Sequence, residues 1–209
     1  MKHIFFDIDR TIFNTDSWYE TNRLKVVELF NSKYLTDGIS TYEIFIGLLK
    51  QRGINKNTNI KKTIVELSQV LKLDEKEFLD DMIDIILTED YTKLVYDGVF
   101  DFLEEIFGKF RVGIFSEGDP WFQNIKLDKS GLSKYFVKER KYYFKNKLVN
   151  IAALPTGCVL FDDSDKVGKA IECQRKDIIF KKVNKNYGIG EFNPVDIINE
   201  FKGMKYYEW

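Results

Sequence analysis

The strongest constraint this chain places on its fold is a set of short apolar runs that stop at small polar residues. "HIFFDID" ends in Asp7 and Asp9, "VGIFS" in Ser116, and "VLFDD" in Asp162 and Asp163. Each run has the length and aromatic or β-branched content of a buried strand. Between and after them the period becomes helical, as in "DKVGKAIECQR" and "PVDIINEFKG", where Pro194 suits the first turn. Strands alternating with helices predict an α/β fold built on a parallel sheet. In such sheets, ligands bind outside the carboxyl ends of the strands. Polar groups confined to those ends are therefore candidates for one site.

Residues 3–8 read as the first strand. If that strand reaches Asp9, Asp7 and Asp9 point to the same face, because side chains repeat every second residue. Two like charges so placed need a cation or a shared proton.

The segment from about Ser17 to Leu87 departs from the alternation and reads as about four amphipathic helices. Ser17–Glu20, Ser40–Glu43 and Asp74–Glu77 have capping-box spacing, and Ile60, Ile64, Leu67 and Leu71 share one face. Gly53 offers a stop for the second helix. The expected division is residues 1–15 and 93–209 as an α/β core and 16–92 as an inserted helical unit. After Ser116, Gly118-Asp119-Pro120 reads as a turn, "KYYFK" as a third strand and "LVNIAAL" as a short helix.

Bulk properties exclude several classes. With 33 acidic and 32 basic residues, interspersed, there is no single-signed field to recommend nucleic acid or an anionic membrane as partner. No apolar run approaches the roughly 20 residues of a spanning helix. The first apolar stretch is too short for a signal peptide, so a cytoplasmic protein is expected. The two cysteines, Cys158 and Cys173, lack metal or redox spacing and read as small buried hydrophobes. A single histidine, His3, leaves any chemistry to carboxylates, lysines and hydroxyls. Four carboxylates meeting in one crevice call for a hard divalent cation, and oxygen ligands alone suit Mg²⁺.

In "DIDRT" (Asp7 to Thr11), "VGIFSEG" and "VLFDDSD", taken in order at strand ends, the chain resembles the haloacid dehalogenase (HAD) superfamily, specifically phosphatases with a helical cap inserted after the first motif. The resemblance spans essentially the whole chain and implies a Rossmann-like parallel core. By it, Asp7 is the nucleophile that forms an aspartyl-phosphate, and Asp9 is the acid and base. Asp7, the backbone carbonyl of Asp9, Asp162 and Asp163 hold magnesium. Ser116 and the backbone N–H groups of Glu117 and Gly118 bind the phosphoryl oxygens.

The resemblance also requires a lysine. Lys145 is preferred because it follows the apolar part of "KYYF" at a strand end, with Lys147 and Lys141 as alternatives. Arg10 stands where many relatives have Gly, and its side chain is expected to point away from the acids. The lysines of the helical unit (Lys50, Lys56, Lys61, Lys62) read as a solvated face.

The implied activity is magnesium-dependent hydrolysis of a small phosphorylated metabolite. Dehalogenase, phosphonatase and phosphomutase chemistries share the core, and a non-catalytic HAD-fold binding protein is the alternative of another class. Asp9 favours phosphate chemistry, because a halide leaving group needs no proton. A receiver domain also sets acids, Ser or Thr and Lys on a parallel sheet, but lacks a long helical insertion after its first strand. The oligomeric state is not legible.

Overall fold

A computed structural model of the chain describes residues 2–35, 37–54 and 59–203, with backbone alone for 49–54, 198 and 200–203. Five strands form one sheet: β1 (His3–Phe6), β2 (Arg111–Glu117), β3 (Lys141–Phe144), β4 (Val159–Asp162) and β5 (Ile179–Lys182). All neighbours pair in parallel, in the order β3-β2-β1-β4-β5. The chain moves outward from β1 through β2 to β3, then returns to place β4 on the other side of β1. The switch point therefore lies between β1 and β4, where a doubly wound sheet opens a crevice.

Helices cover both faces, as the strand sequences require. Ile4 and Phe6 join one buried cluster with Ile114, Val159 and Phe161. Phe5, Phe115 and Leu160, one residue out of phase, join the other. The first cluster packs against α5 (Val99–Ile106), α6 (Pro120–Lys129) and α8 (Pro194–Gly203) through Phe102, Leu127 and Ile197. The second packs against α7 (Asp165–Gln174) and the 3₁₀ helix Leu148–Ala153.

Between β1 and β2 the chain inserts α1 (Thr15–Ser32), α2 (Gly38–Ile54), α3 (Ile60–Leu71) and α4 (Glu75–Thr88). Asp74 caps α4 as its spacing predicts, its side chain accepting the Glu77 N–H at 2.8 Å. The other two starts fall three residues earlier than their sequence signatures. Asn14 caps α1 by accepting the Ser17 N–H, and Asp37 accepts the Ile39 and Ser40 N–H groups of α2. Ile60, Ile64 and Leu67 face inward as the spacing requires. Lys61 and Lys62 stand at the start of α3, while Lys56 and the side chain of Lys50 lie outside the described residues.

Three further expectations change. The segment after Gly118 is not simply a turn, because Asp119 caps α6 and Pro120 opens it. Cys158 is buried, but Cys173 is exposed on α7. Strand β1 stops at Phe6, and the chain then turns back on itself: the Ile8 carbonyl accepts from the N–H groups of Thr11, Ile12 and Phe13. Among the described residues no helix is long and apolar enough to cross a membrane.

Candidate active site

The polar strand ends converge at the switch point. Asp7 follows β1 and extends the ladder by one bond, its N–H donating to the Phe161 carbonyl at 2.9 Å. This places it beside Asp162, the last residue of β4. Carboxylate oxygens of Asp7, Asp162 and Asp163 all lie within 4.8 Å of one another. Asp7 and Asp162 are buried, and Asp163 is half-buried. Burial first, and the Asp7 charge second, push both Asp162 and Asp163 above the ordinary carboxylate range. The Asp7 Oδ1 atom is buried without a hydrogen-bond partner. An orphaned acceptor inside a three-carboxylate, oxygen-only set fits a hard divalent cation such as Mg²⁺.

Among the described residues one ammonium enters this cluster, and it belongs to Lys147. Its Nζ lies 2.9 Å from Asp7 Oδ2 and 2.6 Å from Asp162 Oδ2. Burial alone would lower its pKa, but the two carboxylates override that and raise it. The preferred Lys145 is exposed instead. It immediately follows β3, whereas Lys147 is two residues further along, where the chain has turned inward to start the 3₁₀ helix. The Glu117 carboxylate accepts the Lys147 N–H at 2.9 Å and ties that turn to the end of β2. Lys141 opens β3 at its other end and donates to Ser133.

Asp9 has a different set of partners from Asp7. Its carboxylate accepts from Thr15 Oγ1, from Gln123 Nε2 at 2.7 Å and from the buried ammonium of Lys126. Burial would raise its pKa, but the Lys126 charge and the three hydrogen bonds outweigh burial and hold it below the usual value. The side chain of Asp9 is thus outside the three-acid cluster, although Asp7 and Asp9 line the same cavity. The turn after Phe6 is what separates two acids that a longer strand would have aimed together.

Sequence reasoning missed Gln123 and Lys126, which share one face of α6 at i and i+3. The signal was present as Asp119-Pro120, an N-cap followed by proline at the first helical position. Lys126 also lies 4.5 Å from the centroid of the Phe122 ring, so its stem and head are both enclosed.

The end of β2 supplies the remaining groups. Ser116 is fully buried, with its Oγ 3.4 Å from Gln123 Nε2. Glu117 lines the cavity beside Asp7 and Asp9. The expected role of the Gly118 N–H changes, because it donates to the Phe144 carbonyl at 3.0 Å and so continues the β2–β3 ladder. Gly118 is needed for another reason. Its φ is +145°, and a Cβ there would sit 2.7 Å from Gln123 Nε2. Arg10 also has positive φ, at 60°, a conformation that favours glycine. Its guanidinium grips Asp16 through Nε and Nη2, yet Arg10 still lines the cavity that holds Asp7, Asp9 and Asp163.

Neither a protein-family profile nor a curated relative matches the sequence. Solved structures do match. A protein from Burkholderia xenovorans, described as a haloacid dehalogenase-like hydrolase, superposes with a TM-score of 0.73 at 18% identity, over 94% of this chain and 87% of the other. The HAD-hydrolase YfnB of Bacillus subtilis, solved bound to magnesium, gives 0.53 at 16% identity over 81% and 83%. An L-2-haloacid dehalogenase from Xanthobacter autotrophicus gives 0.53 at 14% identity over 98% and 84%. The parallel sheet, the helical insertion after its first strand and these superpositions together establish that the chain has the haloacid dehalogenase-like fold.

Proposed function

We propose that the protein is a magnesium-dependent phosphomonoester hydrolase that works through an aspartyl-phosphate on Asp7. The observation that carries this reading is the Asp7–Asp162–Asp163 cluster with Lys147 inside it and an unpartnered Asp7 oxygen. YfnB, of the same fold, binds magnesium, which supports the same ion here. When bound, the ion would be held by Asp7, Asp162 and Asp163 and would offset the repulsion between a carboxylate nucleophile and a phosphate dianion.

The protein's own groups supply the rest. Lys147 orients Asp7 through their ion pair while adding positive charge beside the transferred group. Ser116 stands at the end of β2 to bind a phosphoryl oxygen. The Asp7 carboxylate attacks phosphorus as the ester oxygen departs. That oxygen needs a proton, and the hydrogen-bonded Asp9–Lys126 pair holds one at the edge of the cavity. In the second step Asp9, held as carboxylate by Lys126, Gln123 and Thr15, is the base that takes a proton from the attacking water.

A dehalogenase reading is the second choice. Asp9 sits in an ion pair, and displacement of a halide would not require it to give up a proton. The division of labour between Asp9 and Lys126 favours an oxygen leaving group.

The test is hydrolysis of p-nitrophenyl phosphate and of 2-chloropropionate side by side, with magnesium and with EDTA. Phosphate release that needs magnesium and disappears in Asp7→Asn is expected. Chloride release without phosphate release would replace this reading with the second.

A further inference from the structure

Two cavities meet at Asp9, Arg10 and Glu117, which line both. One holds the acidic cluster. The other, about 330 Å³, lies between the helical insertion and α6. At roughly 30 Å³ per water-sized group it has room for about ten heavy atoms. Its apolar lining is mostly aromatic: Trp18 and Tyr19 from α1 and Phe122 from α6, with Ile60 from α3. Trp18 meets Phe122 at 4.9 Å with the planes 60° apart, and Tyr19 at 5.2 Å and 73°. These rings form an angled corner rather than a flat patch.

Most polar groups of this wall already have partners, and the Gln123 Oε1 atom, which has none, is sealed away from solvent. Asp9 accepts from Lys126, Gln123 and Thr15. Arg10 is paired with Asp16. Asp119 accepts the Trp121 N–H at 2.9 Å and the Ile60 N–H at 3.0 Å. A polyhydroxylated group entering here would give up its water without gaining equivalent partners. Cations (Lys126, Arg10) and carboxylates (Asp9, Glu117, Asp119) line the same wall, so neither sign of charge enters unopposed. A neutral planar ring would face aromatic walls at the angles that ring–ring contacts favour.

We infer that this second cavity is the leaving-group subsite and selects a neutral aromatic or heteroaromatic alcohol, so that the substrate class is a phosphate ester of such an alcohol rather than a sugar or polyol phosphate. The inference rests on the hydrolase reading above. Hydrolysis then gives inorganic phosphate and the free alcohol: the ester P–O bond breaks, a P–O bond to Asp7 forms, and water later cleaves that bond.

The experiment compares kcat/KM for benzyl phosphate and glycerol 3-phosphate in the full-length protein with magnesium. In parallel, calorimetry compares benzylphosphonate with 3,4-dihydroxybutylphosphonate, which need no turnover. Benzyl is expected to win by at least tenfold in both assays. Phe122→Leu, which keeps apolar volume but removes a ring, should cut that ratio at least threefold, and so should Tyr19→Leu at a more exposed wall position. Equal or reversed ratios in the wild type, or ratios unmoved in both variants, would overturn the inference. Acetyl phosphate, too small to fill the cavity, separates the two claims. Its hydrolysis without an aromatic preference sinks the subsite alone. Failure to hydrolyse any phosphate ester sinks the hydrolase reading, while the phosphonate ratio still judges the cavity.

Discussion

Lys126 and Asp9, 117 positions apart in the chain, form an ion pair beneath the insertion, with the lysine almost wholly buried and the aspartate about a third accessible (3% and 31%). The pair fixes the charge state of the residue placed in the acid–base role. Removing the ammonium leaves a carboxylate facing the rings of Phe13 and Phe122, which already flank Lys126.

Lys126→Met should therefore destabilise the protein by about 2 kcal/mol, below the figure for fully buried pairs because Asp9 keeps some solvent. Urea denaturation reads this as a lower midpoint at unchanged slope. The double variant Lys126→Met/Asp9→Asn should recover part of the loss. A double variant as unstable as the sum of the two singles would mean that the pair does not couple.

Lys147 and Lys145 make a paired prediction. Lys147→Met leaves Asp7 and Asp162 facing each other without their shared cation, which should cost about 3 kcal/mol. Phosphatase turnover should fall at least a hundredfold, on the scale of losing a preorganised electrostatic contact. Lys145→Met, on the exposed side of the same turn, should stay within about 0.5 kcal/mol of wild type and keep its turnover. Comparable losses in the two would show that the turn as a whole matters, not the ammonium between the acids.

Asp119 caps α6 and also accepts the first N–H of α3, the helix of the insertion that Asn59 caps. Asp119→Ala should cost about 1 to 2 kcal/mol, the range for losing an N-cap. It should speed amide exchange at both Ile60 and Trp121. Exchange accelerated at Trp121 only would show that the bond to Ile60 holds nothing.

Asp177 gives a pH prediction away from the site. Hydrogen bonds from Arg175 hold its carboxyl down at about 2, against an unfolded value near 3.9. Arg175 also donates to the carbonyls of Ile151 and Leu154 in the segment that follows Lys147. Between those two pH values the unfolded chain binds more protons than the folded one, so stability rises with pH there. The contribution is complete above about pH 4 and lost as pH falls toward 2. Asp177→Asn should flatten the acid side of the stability profile and lower stability at neutral pH. An unchanged acid limb would remove the pair from the account.

Much of this arrangement is legible in the residues themselves. Phe5 and Phe6, one position apart, go to opposite faces of the sheet, as period-two burial demands. Asp7, Ser116 and Asp162 stand at strand ends because apolar runs stop there. The choice of lysine was not legible: a single turn residue, Asn146, separates Lys145 from Lys147, and the turn's direction depends on the Glu117 carboxylate from another strand. Two of the partners of Asp9, Gln123 and Lys126, were hidden for a related reason. They lie on α6, whose apolar pattern is weak, and only Asp119-Pro120 marks its start. Gly118 shows the limit of local reading. Its N–H is spent on the Phe144 carbonyl, a fact of sheet register that no short motif carries.

The most direct measurement is covalent. The protein is mixed with magnesium and an excess of benzyl or p-nitrophenyl phosphate and quenched in acid during turnover, and its peptides are weighed by mass spectrometry. One added phosphoryl group on the peptide carrying Asp7, removed by hydroxylamine and absent in Asp7→Asn, is the predicted result. Sustained phosphate release with that peptide unmodified, or with the label on another residue, would contradict the account.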